Sequence, residues 1–205
     1  MTPLKRLFDL VLAVVLAVLL CIPLLVLMAI LWATEGRPIF YVSERMKTSR
    51  DGFSLIKLRT MRPSSQNTGV TGGDKSDRIP PIYALLRKSR LDEIPQLWNV
   101  IRGDMSFVGP RPPLRVYVDT FPTLYAKVLR NRPGLTGLAS LYFHKHEERL
   151  LAATSSAAET DQIYRRRCVP RKARLDLIYQ KNQTLCFDFV LIWRTGKRLL
   201  RRQSG

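Results

Sequence analysis

The chain has 205 residues, enough for one domain with a substantial core and too few for two of ordinary size. Its 34 Lys+Arg against 16 Asp+Glu give a formal net charge of +18, so the partner is anionic: nucleic acid, lipid headgroups or a phosphorylated substrate. Cys21, Cys168 and Cys186 lack CxxC or Cys/His spacing, which excludes a disulfide framework or zinc finger and reads as free thiols in a reducing compartment.

The first segment, MTPLKRLFDLVLAVVLAVLLCIPLLVLMAILWATEGRP, has a basic start and no charged residue from Leu10 to Ala33. The apolar run is too long for a signal-peptide core and lacks a small-residue cleavage site, so retention is expected. At roughly two dozen residues it is long enough to span a bilayer as a helix. Pro23 removes the N–H that would bond the carbonyl of Leu19, which predicts a kink near mid-run. Lys5 and Arg6 before the run and Arg37 after it give no charge asymmetry between its ends. Two topologies follow: a helix that turns at Ile22-Pro23 and leaves on its side of entry, or a spanning helix with a tolerated proline. Either places the basic remainder at the cytoplasm.

Ile39–Val42 reads as a short strand, Arg50-Asp51-Gly52 as a turn and Phe53–Thr60 as a second strand closing a hairpin. Alternation sets Phe53, Leu55, Lys57 and Arg59 on one face, so the two cations project together, either toward an anion or into solvent. Ser64–Asp77 is a polar Gly/Ser/Thr-rich loop, a lid or a plain connection. Ile82–Arg90 reads as a helix.

LRKSRLDEIPQLWNV follows. It sets Asp92 and Glu93 directly after Arg87, Lys88 and Arg90, with Pro95 three residues beyond Asp92. Proline is tolerated in a first helical turn, so the acidic pair is expected at a helix start, with Ile94, Leu97, Trp98 and Ile101 facing the core. The pair suits capping as well as a metal-phosphate site. Gly109-Pro110-Arg111-Pro112-Pro113 is a stiff turn that presents Arg111 in a fixed direction, as bidentate phosphate recognition requires. Arg132-Pro133-Gly134-Leu135-Thr136-Gly137 is a second tight turn, whose glycines permit close backbone approach and whose N–H groups are candidates for an anion nest.

Phe143–Pro170 predicts a charged helix, a break at Thr154–Ala158 and the basic run Arg165-Arg166-Arg167. His144 and His146 lack a third partner for zinc and read as surface or supporting residues. The final segment, LCFDFVLIWRTGKRLLRR, carries Phe187, Phe189, Leu191 and Trp193 with a basic end. That composition fits an interfacial helix and, equally, a core helix with a solvated tail.

The order KRLFD, proline-interrupted apolar run, GRPIFYVSER, FSLIKLRTM, LRKSRLDEIPQLWNVIRGDMSFVGPRP, RPGLTGLAS and LDLIYQKNQTLCFDF resembles the bacterial sugar transferase family, the monotopic polyprenol-phosphate phosphoglycosyl transferases. The likeness covers nearly the whole chain, in the small form that consists of the catalytic core. The chain departs from the family pattern at Ser43, where Gln is usual, at Ile22, where Ser commonly precedes the proline, and after LAS.

The resemblance implies an α+β monotopic membrane protein: a re-entrant, proline-kinked helix over 1–36, then a catalytic domain over 37–205 with a small hairpin and amphipathic helices. It further implies transfer of a sugar-1-phosphate from a UDP-sugar to undecaprenyl phosphate with release of UMP, as the first membrane step of glycoconjugate synthesis at the cytoplasmic face of the bacterial inner membrane. On that reading Asp92 is the nucleophile and Glu93 a base or metal ligand, with Asp92 and Glu93 holding Mg²⁺. Lys57, Arg59, Arg87, Arg90 and Arg111 hold phosphates, Pro110, Pro112, Pro133, Gly134, Thr136 and Gly137 shape the site, and Pro23 sets the membrane kink. Anionic lipids are expected partners, a homo-oligomer is compatible, and no nucleic acid is expected. The rival readings are a basic membrane scaffold and a tethered nucleic-acid-binding protein, the latter without a recognition helix, RRM signature or zinc finger.

Overall fold

The computed structural model describes residues 1–62 and 79–203; the polar loop expected at Ser64–Asp77 lies outside the described residues. The apolar run forms two helices, α1 (Pro3–Leu19) and α2 (Cys21–Glu35), bent by 57° at Leu20. Thr2 caps α1 by accepting from the Lys5 N–H. Pro23 is the third residue of α2, where its missing N–H costs least, and the helix breaks beside the Leu19 carbonyl that it leaves without a partner. Neither helix alone is long and apolar enough to cross a membrane, whereas the bent pair is by length and composition. Leu4, Leu7, Val11 and Val18 of α1 and Ile22, Leu25 and Trp32 of α2 are exposed. Such a surface marks contact with something apolar.

The hairpin pairs β1 (Phe40–Met46) with β2 (Gly52–Leu58), antiparallel, with Tyr41 opposite Lys57. The first strand is longer than expected and the second stops before Arg59. The register is unbroken, and Leu58, on the face opposite Phe53 and Leu55, packs with Leu31, Tyr83 and Leu86 while those two join another cluster. After α3 (Pro81–Ser89) the chain takes one 3₁₀ turn at Leu91–Glu93 before α4 (Gln96–Arg102). The acidic pair thus lies in the turn between two helices, with Pro95 as the α4 cap residue, rather than inside the first turn of a helix. Leu97 and Val100 are buried, but Trp98, expected in the core, is 55% exposed. Seven residues of α4 turn a face to solvent that a longer stripe would bury.

The strands β3 (Ser106–Val108) and β4 (Gly134–Thr136) form a second, parallel pair. Gly109 and Gly134 allow the close approach: a Cβ at Gly109 would lie 2.2 Å from the Arg132 carbonyl. Around this ladder stand α5 (Arg115–Thr120), α6 (Pro122–Val128), α7 (Leu138–Tyr142), α8 (His144–Ala152), α9 (Ala157–Ile163), α10 (Val169–Lys181) and α11 (Leu185–Gln203), with a π-helical turn at Tyr164–Cys168. The fold is α+β, mainly helical.

The N-terminal helix shares a core with the rest. Ala13 is fully buried among Val100, Met105, Phe107, Tyr179 and Leu191. Lys5 Nζ donates to Asp188 Oδ2 of α11 at 2.5 Å, Tyr179 donates to Asp188 Oδ1, and Asp188 is fully buried. The two ends of the chain are therefore joined by an ion pair in the interior. α11 has a buried side and an exposed one: Leu191 is buried, while Phe189 and Trp193 are 61% and 65% exposed. The three cysteines are free thiols, Cys168 buried and the others exposed.

Candidate active site

A cavity of about 980 Å³ opens between the hairpin, the 3₁₀ turn, the Arg111–Leu114 turn and helices α8 and α10. Asp92 lies in its wall. The residue is 5% exposed, and its Oδ1 is buried without a hydrogen-bond partner. The local cause is Arg90, whose left-handed conformation (φ 61°) ends α3 and turns the chain so that the acidic pair faces the cavity. Burial, then the neighbouring Glu93, raise the Asp92 carboxyl above its ordinary range, with Lys57, Arg87 and Arg90 offsetting part of the rise.

Glu93 has a different environment. Its Oε1 accepts from Arg90 Nη1 at 3.0 Å and from Arg111 Nη2 at 2.9 Å. Burial pushes its carboxyl up, but Arg111 and Arg90 outweigh burial and hold it at about 2. The proline-rich turn thus presents Arg111 to Glu93, which fixes it as an anion-facing cation. Adjacent carboxyls with opposite shifts are a common sign of divided roles.

Lys57 also lines the cavity, its Nζ 5.3 Å from the Tyr41 ring centre, and burial lowers its ammonium to about 8. Arg87 lines the wall, with Nη1 3.5 Å from the Thr60 hydroxyl. Arg59 borders the cavity, but its guanidinium donates to the carbonyls of Glu35, Gly36 and Arg37, closing the end of α2. Lys57 and Arg59 therefore do not act as the matched pair that alternation suggested.

Of the residues expected to shape the site, Pro112 lines the cavity, whereas Pro110, Pro133, Gly134, Thr136 and Gly137 are not among its lining residues and lie in or beside the β3–β4 pair. The Gly134 N–H donates to the Pro110 carbonyl, the Gly109 N–H to Thr136, and the Thr136 and Thr195 hydroxyls lie 2.7 Å apart. The turn expected as an anion nest is a strand that spends these groups on the β3–β4 ladder. Close backbone approach was the reason for its glycines.

Among the cavity residues that the sequence did not assign to the site are His144, Arg45 and Asp176. His144 Nε2 lies 3.0 Å from Arg90 Nη2 and 3.2 Å from Glu148 Oε1, which brings it into the site; His146 points away, to Arg171. Arg45 donates to the Pro112 carbonyl at 3.4 Å and has a buried Nε without a hydrogen-bond partner. Asp176 on α10 also lines the cavity. The departure after LAS was the available signal for His144, and for Asp176 it was membership of the segment LDLIYQKNQTLCFDF. No cluster of three His, Cys, Asp or Glu residues is placed to hold a metal among the described residues.

A buried carboxylate with a free oxygen thus shares a cavity with a lysine and several arginines, a set of charges suited to phosphate. The bacterial sugar transferase family model matches residues 1–202, and the chain belongs to that family of enzymes. It is 30% identical to the exopolysaccharide production protein ExoY of Sinorhizobium fredii, over 93% of this chain and 83% of that protein. It is 33% identical to the UDP-glucose:undecaprenyl-phosphate glucose-1-phosphate transferase of Caulobacter vibrioides, over 98% and 71%. With the UDP-N-acetylgalactosamine-undecaprenyl-phosphate N-acetylgalactosaminephosphotransferase of Aeromonas hydrophila it shares 30% identity over 96% of this chain and 44% of that longer protein.

Proposed function

We propose that this protein transfers a sugar-1-phosphate from a UDP-sugar to undecaprenyl phosphate through a covalent intermediate on Asp92. The observation that carries the reading is the free Oδ1 of Asp92 in a cavity lined with Lys57, Arg87 and Arg111. An Asp92 oxygen attacks the phosphorus that bears the sugar, and the bond to the UMP oxygen breaks with its electron pair leaving on UMP. The undecaprenyl phosphate oxygen then attacks the same phosphorus and returns the electron pair to Asp92. Lys57, Arg87 and Arg111 hold the phosphates and stabilise the charge that develops on their oxygens. Glu93, ionised and gripped by two arginines, fixes Arg90 and Arg111 in place; a group held near 2 is a poor proton acceptor at neutral pH.

The donor set fits Mg²⁺ in one respect: Mg²⁺ takes one or two carboxylates plus phosphate oxygens, and the buried Asp92 carboxylate has, besides the Oδ1 assigned to attack, a second oxygen that could hold it. Bound there, the metal supplies charge neutralisation of the diphosphate. Glu93 Oε1 already carries two guanidinium contacts, so the metal would rest mainly on Asp92.

Exposed apolar side chains on α1, α2 and α11 suit burial in a bilayer surface, with the bent pair entering and leaving on the cytoplasmic side where the acceptor phosphate lies. In a variant otherwise free of cysteine, Thr2→Cys is expected to react with an impermeant maleimide from the cytoplasmic side. Labelling from the periplasm alone would make the pair a span.

Purified protein supplied with Mg²⁺, undecaprenyl phosphate and a panel of UDP-sugars is expected to release UMP with at least one donor. The free-enzyme pH profile has a set direction on its alkaline side. Lys57 binds phosphate when protonated, so kcat/KM falls as pH rises through about 8, and Lys57→Arg moves that limb upward. An alkaline limb unmoved by the arginine variant would remove Lys57 from phosphate binding. Neither the scaffold nor the nucleic-acid reading gains support from the fold or the relatives.

A further inference from the structure

The transfer chemistry leaves part of the cavity without a task. Asp176 of α10 is 8% exposed and lines the cavity, and its Oδ1 is buried with no hydrogen-bond partner. The cation one turn before it, Lys172, is taken: its Nζ donates to both Glu147 carboxylate oxygens, at 2.8 and 3.1 Å, and lies 3.2 Å from the Tyr164 hydroxyl. A buried carboxylate oxygen left open in a cavity has lost water without gaining a partner, which a fold retains where a ligand supplies the donor. This cluster stands on other elements than the dyad: Glu147 on α8 and Lys172 and Asp176 on α10, against the 3₁₀ turn that carries Asp92 and Glu93. Arg111, Glu147, Lys172 and Asp176 line one cavity, so a ligand whose phosphate rests at Arg111 shares that space with the Glu147–Lys172–Asp176 cluster.

Resting on the function proposed above, we infer that Asp176, beside the Glu147–Lys172 pair, accepts hydrogen bonds from ring hydroxyls of the sugar-nucleotide donor. The wall that carries the pair's outer member is α8, within the stretch after LAS where this chain leaves the family pattern. Asp176 itself lies in the segment LDLIYQKNQTLCFDF, whereas Glu147 lies in the departing stretch, so the two sides of this subsite differ in how closely they follow the family pattern. The ring hydroxyls belong either to the transferred sugar or to the ribose, and the chemistry of acceptance is the same.

The test compares wild type with Asp176→Asn, by calorimetric binding of UDP-sugars and of UMP and by steady-state kinetics. At pH 8, where Asp176 is mostly ionised despite its burial, asparagine keeps the shape and loses the charged acceptor. A rise of about tenfold in Kd and KM for the UDP-sugar, with UMP binding unchanged, assigns Asp176 to the transferred sugar. An equal weakening of UMP assigns it to the ribose and also supports the subsite. Unchanged Kd and KM for both, or a fall in kcat alone, overturns the inference. Folding gives an independent readout. Burial pushes the Asp176 carboxyl up to about 7, so the folded state holds its proton where the unfolded chain has released it. Stability is lost as pH rises from the ordinary aspartate range to about 7, and Asp176→Asn removes that loss. At pH 8 the variant is expected to melt at or above the wild-type Tm while binding donor less well; a lower Tm with weaker binding would mark a structural role. Binding is read without turnover, so a wild type that binds donors yet releases no UMP would refute the transferase reading and leave this comparison intact.

Discussion

Asp92→Asn is expected to lower the rate of UMP release by at least about a thousandfold while leaving the fold unchanged. The amide has the size of the carboxylate it replaces, so the cavity keeps its shape, but an amide oxygen carries no full charge to drive attack on phosphorus. Asp92 is 5% exposed, and its Oδ1 has no protein partner to lose, so the substitution breaks no hydrogen bond there. The covalent step has its own readout. With a donor labelled in the sugar and acceptor left out, wild type should retain label on the protein, released by undecaprenyl phosphate; Asp92→Asn should retain none. Turnover surviving in the asparagine variant, or label that stays on it, would remove Asp92 as the nucleophile.

The second large effect concerns stability. Asp188→Ala is expected to cost about 3–5 kcal/mol, because it leaves the Lys5 ammonium buried without its counter-charge. For a chain of this size that lowers the melting temperature by roughly 10 °C. Tyr179 keeps one acceptor, the Val108 carbonyl at 3.2 Å, so the loss falls mainly on the lysine. Replacing both charges, Lys5→Met with Asp188→Leu, should recover most of the stability, since a packed apolar pair spares the desolvation of two ions. A change of only one or two degrees in the single variant would mean that α1 is not held to α11 through this pair.

The two carboxylates at the centre show how far local pattern reaches. Their adjacency to a basic cluster marked them as a pair, and the proline turn marked Arg111 as stiffly held. Their division of labour came from contacts distant in sequence: Arg111, eighteen residues on, pulls Glu93 down, while Asp92 keeps an oxygen free. Alternation in the hairpin misjudged Arg59 because its guanidinium finds the open carbonyls at the end of α2, a partner no strand pattern contains. Trp98 was misplaced because helical spacing gives a face but not what lies opposite it.

What the sequence determined by itself was the set of local decisions: a bend beside Leu19 forced by Pro23, a hairpin around Gly52, the 3₁₀ turn's acidic pair, and the motif order that places the chain in its family. These depend on backbone sterics and on spacing within a few residues. Tertiary structure alone decided the parallel pairing of β3 with β4, the buried Lys5–Asp188 bridge, and the arrival of His144 and Asp176 at the cavity. Each of these joins residues far apart in the chain, where burial sets the strength of a charge or hydrogen bond and no local spacing records which partner will be met.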